Sequence, residues 1–306
     1  MLLDPGRPSF AVDGRDWPNR RHSRFVRAGG MAWHVQEMGS GPKLLLLHGT
    51  GAATHSFRHL APALARYFNL LVPDLPGHGF SDMPPGDGLS LPGMARLLAG
   101  LLAKADFAPD LVVGHSAGAA ILLAMALEHR LQPTVIIALN GALRPIRGAA
   151  LFSPLARMLS LNPLVPRLVA RRATNWDAIR RLLEGTGSYI EPRGIELYAR
   201  LFQRHGHVAA TLGMMARWDL DWLDRRLGQL AAPLVLVTAA GDRAIRPADA
   251  AAFARQVPSA RVVSLPGGGH LVHEERPSVI ADLILRLVTE AAMEALGEPS
   301  RRDVAS

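Results

Sequence analysis

The sequence predicts an α/β fold, in which a mostly parallel sheet carries helices on both faces and is interrupted by an inserted block of helices. Short β-rich apolar runs alternate with longer segments of helical periodicity over residues 31–143 and again over 233–290. Residues 144–232 contain no convincing strand and have the pattern of several helices separated by Pro and Gly. We therefore expect one core built from two sequence pieces, with 144–232 inserted as a helical cap.

The strand predictions rest mainly on continuous apolar runs, because a strand that is covered on both faces has no polar side. The run at 43–48 is the clearest example. A first strand in the leading arm and seven further runs predict an eight-stranded sheet; the seven lie at 31–37, 43–48, 68–73, 111–115, 134–139, 233–238 and 261–265.

Apolar positions three and four residues apart predict the helices. In the core these are 55–66, 91–104, 116–128, 248–257 and 277–290, and Ser90 is the expected N-cap of the second. In the cap they are 153–160, 166–173, 175–185, 192–205, 208–217 and 219–229. The chain then divides into an arm with the first strand (1–30), the core (31–143 and 233–290), the cap (144–232) and a flexible tail (291–306).

The composition excludes several classes of protein. Apolar residues make up 49% of the 306 residues, which excludes a disordered chain. There is no cysteine, so disulfide scaffolds and thiolate-ligated metal sites are excluded. No apolar run approaches the roughly 20 residues that span a bilayer, and the first residues lack the apolar region of a signal peptide. We expect a cytoplasmic protein, with peripheral membrane contact left open.

The formal net charge of +8 is unevenly distributed along the chain. The two core pieces are each close to neutral, whereas the cap carries 14 Arg against seven acidic residues and the arm six Arg against three Asp. Because no nucleic-acid recognition motif is present, we expect no specific nucleic-acid binding. The positive charge of the cap instead indicates that it attracts an anionic substrate, a membrane face or a protein partner.

A candidate nucleophile lies where the fourth of these seven runs passes into a helix. The segment Gly114-His115-Ser116-Ala117-Gly118 is a G-x-S-x-G motif between a predicted strand and a predicted helix. A nucleophilic serine needs this context, because small neighbours allow the sharp turn that exposes its hydroxyl above the sheet. The bare pattern also occurs in ordinary Gly-rich turns, but here the strand–turn–helix context is met.

A candidate acid and a candidate base follow two later strands. Asp242 comes just after the strand at 233–238, and His270 ends a Gly-rich loop after the strand at 261–265. The order Ser, Asp, His is that of hydrolases built on parallel sheets, and the carboxyl ends of such strands form ligand sites. Asp249 is the rival acid, but it falls within a helix. His273 is the rival base, and we expect it to cap or line the next helix.

Two backbone N–H groups are candidates for an oxyanion hole, those of Thr50 and Ala117. Thr50 lies in the loop His48-Gly49-Thr50-Gly51, directly after the strand at 43–48. A nucleotide-binding loop is the alternative for these glycines. It is disfavoured because no third glycine follows at the required spacing and no G-x-x-x-x-G-K occurs.

Over about residues 31–290, these motifs resemble the α/β-hydrolase superfamily. The resemblance implies a Ser–His–Asp mechanism of the esterase type, a helical cap after the sixth strand, and usually no cofactor. A serine at position 116 argues against haloalkane dehalogenases and epoxide hydrolases, whose nucleophile at this place is an aspartate. The superfamily also contains lyases and members without catalysis, so the triad does not fix the reaction.

A narrower resemblance spans nearly the whole chain. The segments 16–20 (DWPNR), 185–188 (GTGS), 213–220 (GMMARWDL) and 269–277 (GHLVHEERP) are similar to those of the magnesium-chelatase accessory proteins of bacteriochlorophyll biosynthesis. This resemblance implies a role at or near magnesium insertion into protoporphyrin IX, with magnesium-chelatase subunits as partners. It does not imply which reaction the triad performs.

Several aromatic and Met residues of the cap suit a flat apolar ligand such as a tetrapyrrole, with cap arginines pairing its carboxylates. The alternative is that these side chains form the cap's own core. The candidate substrate-binding residues are His48, Gly49, Trp176, Met214, Met215 and Trp218, and Met158 is a further methionine of the cap. His205 and His207 have no third ligand nearby, so we expect no metal site.

Three functions remain open on the sequence. The first is an active serine hydrolase that serves magnesium insertion. The second is a non-catalytic protein that binds or delivers a tetrapyrrole. The third is a general carboxylesterase or C–C hydrolase of unrelated metabolism.

Overall fold

The computed structural model describes residues 6–144, 162 and 164–295 and contains one eight-stranded sheet. The strands are β1 (Ser23–Ala28), β2 (Met31–Met38), β3 (Lys43–Leu47), β4 (Asn69–Pro73), β5 (Leu111–His115), β6 (Val135–Leu139), β7 (Leu234–Ala239) and β8 (Ala260–Leu265). They lie in the order β1-β2-β4-β3-β5-β6-β7-β8. Strand β2 is antiparallel to β1 and β4, and the other pairs are parallel. The predicted fold class is confirmed.

The helices of the core are α1 (Leu60–Leu64), α2 (Leu91–Lys104), α3 (Ala117–Leu127), α9 (Pro247–Ala254), α10 (Val272–Glu275) and α11 (Pro277–Ala295). Between β6 and β7 lie α4 (Leu164–Arg172), α5 (Trp176–Gly185), α6 (Pro192–Phe202), α7 (His205–Ala216) and α8 (Asp221–Asp224). Ser90 caps α2 as predicted, and its hydroxyl accepts a hydrogen bond from the Gly93 N–H at 3.1 Å.

Two of the predicted helices are divided or shortened in the structure. The helix expected at 55–66 is divided into a 3₁₀ turn, Thr54–Phe57, and α1. Pro62 accounts for the division, because its ring clashes with the carbonyl four residues earlier and it has no N–H to donate. The helix expected at 219–229 shrinks to α8 and a 3₁₀ turn, Leu227–Gln229.

The last core helix is longer than predicted, and some predicted segments lie outside the described residues. Helix α11 continues to Ala295, five residues beyond its predicted end, so residues 291–295 are helical rather than part of a tail. The predicted helix 153–160, Met158, the first five residues of the arm and residues 296–306 lie outside the described residues.

Two apolar clusters cover the two faces of the sheet. Successive residues of β3 alternate between them: Leu45 and Leu47 pack with α2 and α3, whereas Leu44 and Leu46 pack with α1 and α11. Helix α3 lies deepest, and every one of its residues except Ala126 is buried. A helix that is apolar on all sides needs such a central position. The carboxyl end of β5 and the start of α3 are thereby held rigidly.

The cap sits on loops of the core through two smaller apolar clusters. In one, Ile179, Ile195 and Tyr198 of the cap pack with Ala52 and Leu271 of the core. In the other, Trp17 of the arm packs with Leu197, Leu201, Phe80 and Ala53. Within the described part of the chain, no strand lies between β6 and β7. The arm and the cap therefore both close over the loops that follow β3 and β4.

Candidate active site

Ser116 occupies a strained turn between β5 and α3. Its backbone angles are φ 51° and ψ −118°, a region that non-glycine residues rarely adopt. The turn is held from both sides, because the Ser116 N–H donates to the Leu139 carbonyl at 3.0 Å and its carbonyl accepts from the Ala142 N–H at 3.1 Å. The structure therefore stabilises the backbone geometry of a nucleophile elbow.

The two motif glycines are required by close backbone contacts. A Cβ on Gly114 would lie 2.5 Å from the Ala119 nitrogen, and one on Gly118 would lie 2.5 Å from the Leu47 carbonyl oxygen. Both clashes involve backbone atoms, which cannot rotate away. The motif spacing thus reflects the packing of α3 against β3 and β5.

His270 and Asp242 form a buried hydrogen-bonded pair. Nδ1 of His270 lies 2.8 Å from Oδ2 of Asp242, whose side chain is 1% exposed. The other carboxylate oxygen, Oδ1, accepts from the N–H groups of Ala244 and Ile245, each at 2.8 Å. With Nδ1 of His270 donating to this carboxylate, Nε2 is left free to act as a base.

The backbone of His270 is hydrogen-bonded to His115, the residue before Ser116. Its carbonyl oxygen accepts from Nε2 of His115 at 2.9 Å and from Nδ2 of Asn140 at 3.0 Å. The rings of His115 and His270 are 4.7 Å apart. No hydrogen bond joins the Ser116 hydroxyl to His270 among the residues the structure describes, a bond that often tightens only when substrate binds.

The rival acid and base lie in other environments. Asp249 forms an ion pair with Arg246 at 2.9 Å and is partly exposed on α9. His273 is fully buried in α10, with Nε2 2.8 Å from the Ser56 hydroxyl. Burial lowers the pKa of His273 to about 3, which makes it a poor base at neutral pH. The pair formed by Asp242 and His270 is the better acid–base unit on geometry.

The predicted oxyanion loop packs directly against Ser116. A Cβ on Gly49 would lie 2.9 Å from Cβ of Ser116. Ala117 is the first residue of α3, so its N–H has no acceptor one turn earlier in the helix. The N–H of Thr50 donates to no acceptor within the described residues. The loop that carries Thr50 thus contacts Ser116 through Gly49, and the Thr50 N–H is unoccupied within the described residues.

His48 is predicted to bind substrate, but in the structure it is a buried residue that contacts the protein itself. It is fully buried, and its two ring nitrogens are occupied by the protein: Nδ1 lies 2.8 Å from the Gly49 carbonyl, and Nε2 accepts from the Leu75 N–H at 2.9 Å. Burial lowers its pKa, so the ring is neutral. His48 therefore fixes the loop after β3, and Gly49, also buried, supplies the close approach to Ser116.

The four cap residues expected to contact substrate are not brought to one surface. Met214 is fully buried, and its sulfur lies 3.5 Å from the Thr50 hydroxyl. Trp218 packs against the cluster that contains Met214. Trp176 and Met215 are 41% and 62% exposed. Of these four residues, Met214 is the one that contacts a candidate site residue, Thr50, in the described structure.

Asp74, in the turn after β4, organises two loops beside this site although it belongs to none of the sequence motifs described above. It is fully buried, and Oδ1 accepts from the Thr54 N–H at 2.6 Å. Oδ2 accepts from the Phe80 N–H at 2.9 Å and lies 2.7 Å from Nδ1 of His34. Burial opposes its charge, but His34 and these hydrogen bonds hold the pKa of Asp74 below its usual range. Asp74 thereby joins the loops after β3 and β4.

Comparison with known proteins agrees with this geometry. A model of the alpha/beta hydrolase family matches residues 44–283. The chain belongs to the α/β hydrolase family. Within that family it is 38% identical to the magnesium-chelatase 30 kDa subunit of Rhodobacter capsulatus, over 88% of this chain and 95% of the relative.

Two further proteins are similar to this chain at lower sequence identity. A 2-hydroxy-6-oxo-2,4-heptadienoate hydrolase of Pseudomonas putida is 31% identical over 67% of this chain and 72% of its own. An α/β hydrolase fold protein from Burkholderia ambifaria superposes with a TM-score of 0.74 at 23% identity, covering 86% of this chain and 97% of its own. The similarity to the Burkholderia ambifaria protein shows only that the two chains share a fold.

The described residues contain no group of three or more His, Cys, Asp or Glu side chains that could hold a metal ion. His207 is buried and bonded to the protein, with its ring nitrogens 3.2 Å from the Gly79 nitrogen and 3.1 Å from the Gly51 carbonyl oxygen. None of the described helices is both long and apolar enough to span a bilayer.

Proposed function

We propose that the protein is a serine hydrolase in which Ser116, His270 and Asp242 form the catalytic triad. Oγ of Ser116 bonds to the carbonyl carbon of the substrate while its proton passes to Nε2 of His270. Asp242 orients the ring and stabilises the resulting imidazolium. The N–H groups of Thr50 and Ala117 hold the oxyanion of the tetrahedral intermediate.

The second half of the reaction returns the enzyme to its starting state. Collapse of the intermediate breaks the bond to the leaving group, which takes the proton from His270. A water molecule then gives a proton to the same nitrogen and attacks the acyl carbon. The bond between that carbon and Oγ breaks, and Oγ of Ser116 takes the proton back from His270. The strained backbone of Ser116 next to the buried Asp242–His270 pair is the observation that carries this proposal.

The proposed biological role is that of an accessory protein for magnesium insertion in bacteriochlorophyll biosynthesis, with a tetrapyrrole as small-molecule substrate and magnesium-chelatase subunits as partners. Its support is the similarity to the magnesium-chelatase 30 kDa subunit, which extends over almost the entire length of that protein. The basic cap suits a ligand with carboxylate groups.

Complementation tests this role and separates it from the alternatives. In a strain that lacks the corresponding gene, the wild type should restore bacteriochlorophyll, and Ser116→Ala should not, with porphyrins that lack magnesium accumulating. Full restoration by Ser116→Ala would leave the non-catalytic tetrapyrrole-binding function. Failure of the wild type would favour a hydrolase of unrelated metabolism, in line with the similarity to 2-hydroxy-6-oxo-2,4-heptadienoate hydrolase.

We also propose peripheral contact between the cap and an anionic membrane, centred on α4. Leu164 and Leu168 are 64% and 58% exposed one helical turn apart, and three arginines of the same helix are exposed beside them. An exposed apolar pair flanked by arginines is typical of a helix that lies on a membrane surface. Helix α4 contains no acidic residue to offset this charge.

Flotation with lipid vesicles tests the membrane contact. The wild type should float with vesicles rich in phosphatidylglycerol and remain behind with phosphatidylcholine vesicles. Arg167→Glu with Arg171→Glu should abolish flotation, because each arginine near the surface contributes about 1 kcal/mol. The matched control is Arg255→Glu with Arg286→Glu, on exposed core positions. Equal loss in both double variants, or equal flotation with both lipids, would remove the assignment to α4.

A further inference from the structure

The turn that connects α5 to α6, residues 186–189, is the part of the cap that touches both loops of the acid–base pair. We call it the cap turn. The carbonyl of Thr186 accepts from the N–H of Arg243 at 3.0 Å and from the N–H of His270 at 3.4 Å. One carbonyl thus contacts the residue that follows the acid and the base itself.

The cap turn lies so close to these loops that glycines are needed where they meet. A Cβ on Gly187 would collide with the carbonyl oxygen of Gly241, and one on Gly269 would collide with the carbonyl of Gly187. Gly241 in turn donates to the Gly268 carbonyl at 2.9 Å. Three backbone segments that are distant in sequence are therefore packed against one another directly beside Asp242 and His270.

Two side chains hold the amides on either side of His270. The Ser188 hydroxyl, fully buried, accepts from the Leu271 N–H at 2.8 Å. Oε2 of Glu275 accepts from the Gly269 N–H at 2.6 Å, while Oε1 accepts from the Tyr189 N–H at 2.8 Å. Hydrogen bonds from amides to a carboxylate are among the stronger ones. Glu275 consequently links the loop of the base to the cap turn.

The base is thus positioned from two directions. His115 and Asn140 hold its carbonyl oxygen from the core, and Ser188 and Glu275 hold its neighbouring amides from the cap side. We propose that Ser188 and Glu275 are positioning residues that set His270 relative to Ser116, and that through them the cap controls the geometry of the triad. This inference rests on the proposed hydrolase function.

The test measures the rate of reaction per active site rather than the yield of active protein. In Ser188→Ala with Glu275→Gln, kcat for p-nitrophenyl acetate should fall about 10-fold or more with KM nearly unchanged, because misplaced catalytic groups lower the rate of chemistry. Active-site concentration is taken from the amount of fluorophosphonate incorporated. Glu196→Gln, an exposed glutamate of α6 that bonds only arginines in the described structure, is the control and should keep wild-type kcat.

A purely structural role has a different signature. It would lower the incorporated amount or the unfolding temperature but leave kcat per active site within twofold of the wild type, and that result would overturn the inference. If the wild type itself is unreactive, the proposed function fails, and the inference is decided by hydrogen exchange. The Leu271 amide should then exchange at least about 10-fold faster in the double variant, because Ser188→Ala removes its acceptor. The Gly269 amide should also exchange faster, because glutamine has one oxygen for the two N–H groups that Glu275 accepts from. Unchanged exchange would overturn it.

Discussion

Lowering the pH from 7.5 to 5.5 should strongly decrease the free energy of unfolding of this protein. Six buried histidines have a pKa below the ordinary value of 6.5, mainly because burial disfavours the charged ring; for His207 it is about 4 and for His273 about 3. The other four are His48, His55, His78 and His115.

The sign of the effect follows from which state binds more protons. Below pH 6.5 the unfolded chain protonates these histidines and the folded protein does not, so stability is fully present above pH 6.5 and is lost as the pH falls. One pH unit below that value, a histidine whose folded-state pKa lies well below 5.5, as those of His207 and His273 do, costs about 1 kcal/mol. The other four add to this loss in the same direction, against the roughly 5–15 kcal/mol by which domains are stable.

Urea unfolding at pH 7.5, 6.5 and 5.5 measures this directly, and the midpoint should fall steeply between the last two. His55→Phe should weaken the pH dependence, because both ring nitrogens of His55 lack a partner in the described structure and an aromatic ring of similar shape fills the site. His129→Asn, at an exposed position with φ 54°, should leave it unchanged. A midpoint that stays constant from pH 7.5 to 5.5 contradicts neutral buried histidines.

Asp242→Asn should lower kcat for p-nitrophenyl acetate by about 10⁴-fold while KM changes little. The N–H groups of Ala244 and Ile245 both donate to one carboxylate oxygen, so the amide oxygen of asparagine must take that place. Its NH₂ group then faces Nδ1 of His270 and forces the hydrogen onto Nε2. The ring can no longer accept the proton of Ser116.

The matched control is Asp249→Asn, which changes the rival acid on α9 and should keep kcat within a few-fold of the wild type. Circular dichroism should show both variants folded, since asparagine has nearly the same shape as aspartate. A decrease of less than tenfold in Asp242→Asn would show that this carboxylate does not orient the base.

The sequence contains enough local information to predict the sheet and to place Ser116, Asp242 and His270 just after the ends of three strands. G-x-S-x-G marks a strand–turn–helix junction, and the residues just after β7 and β8 lie at the same edge of a parallel sheet as Ser116. Pro62 also indicates that the helix expected at 55–66 is interrupted. These features depend on neighbours in sequence or on general rules of sheet topology.

The roles of other residues depend on contacts that no local pattern contains. Met214 and Met215 are adjacent, yet one is buried beside Thr50 and the other is exposed. Which face of α7 meets the core is decided by how the cap docks, not by the helix itself. Likewise, Ser188 and Glu275 acquire their partners only because distant backbone segments are packed together at Gly187 and Gly269.

Reaction with a fluorophosphonate tests most directly the central claim that Ser116 is a nucleophile activated by His270 and Asp242. Intact-protein mass spectrometry followed by peptide mapping should show one equivalent incorporated, on Ser116. Ser116→Ala should incorporate none, and His270→Ala should react far more slowly. Absence of incorporation into the folded wild type, or incorporation at another residue with Ser116→Ala unaffected, would contradict the assignment of the triad.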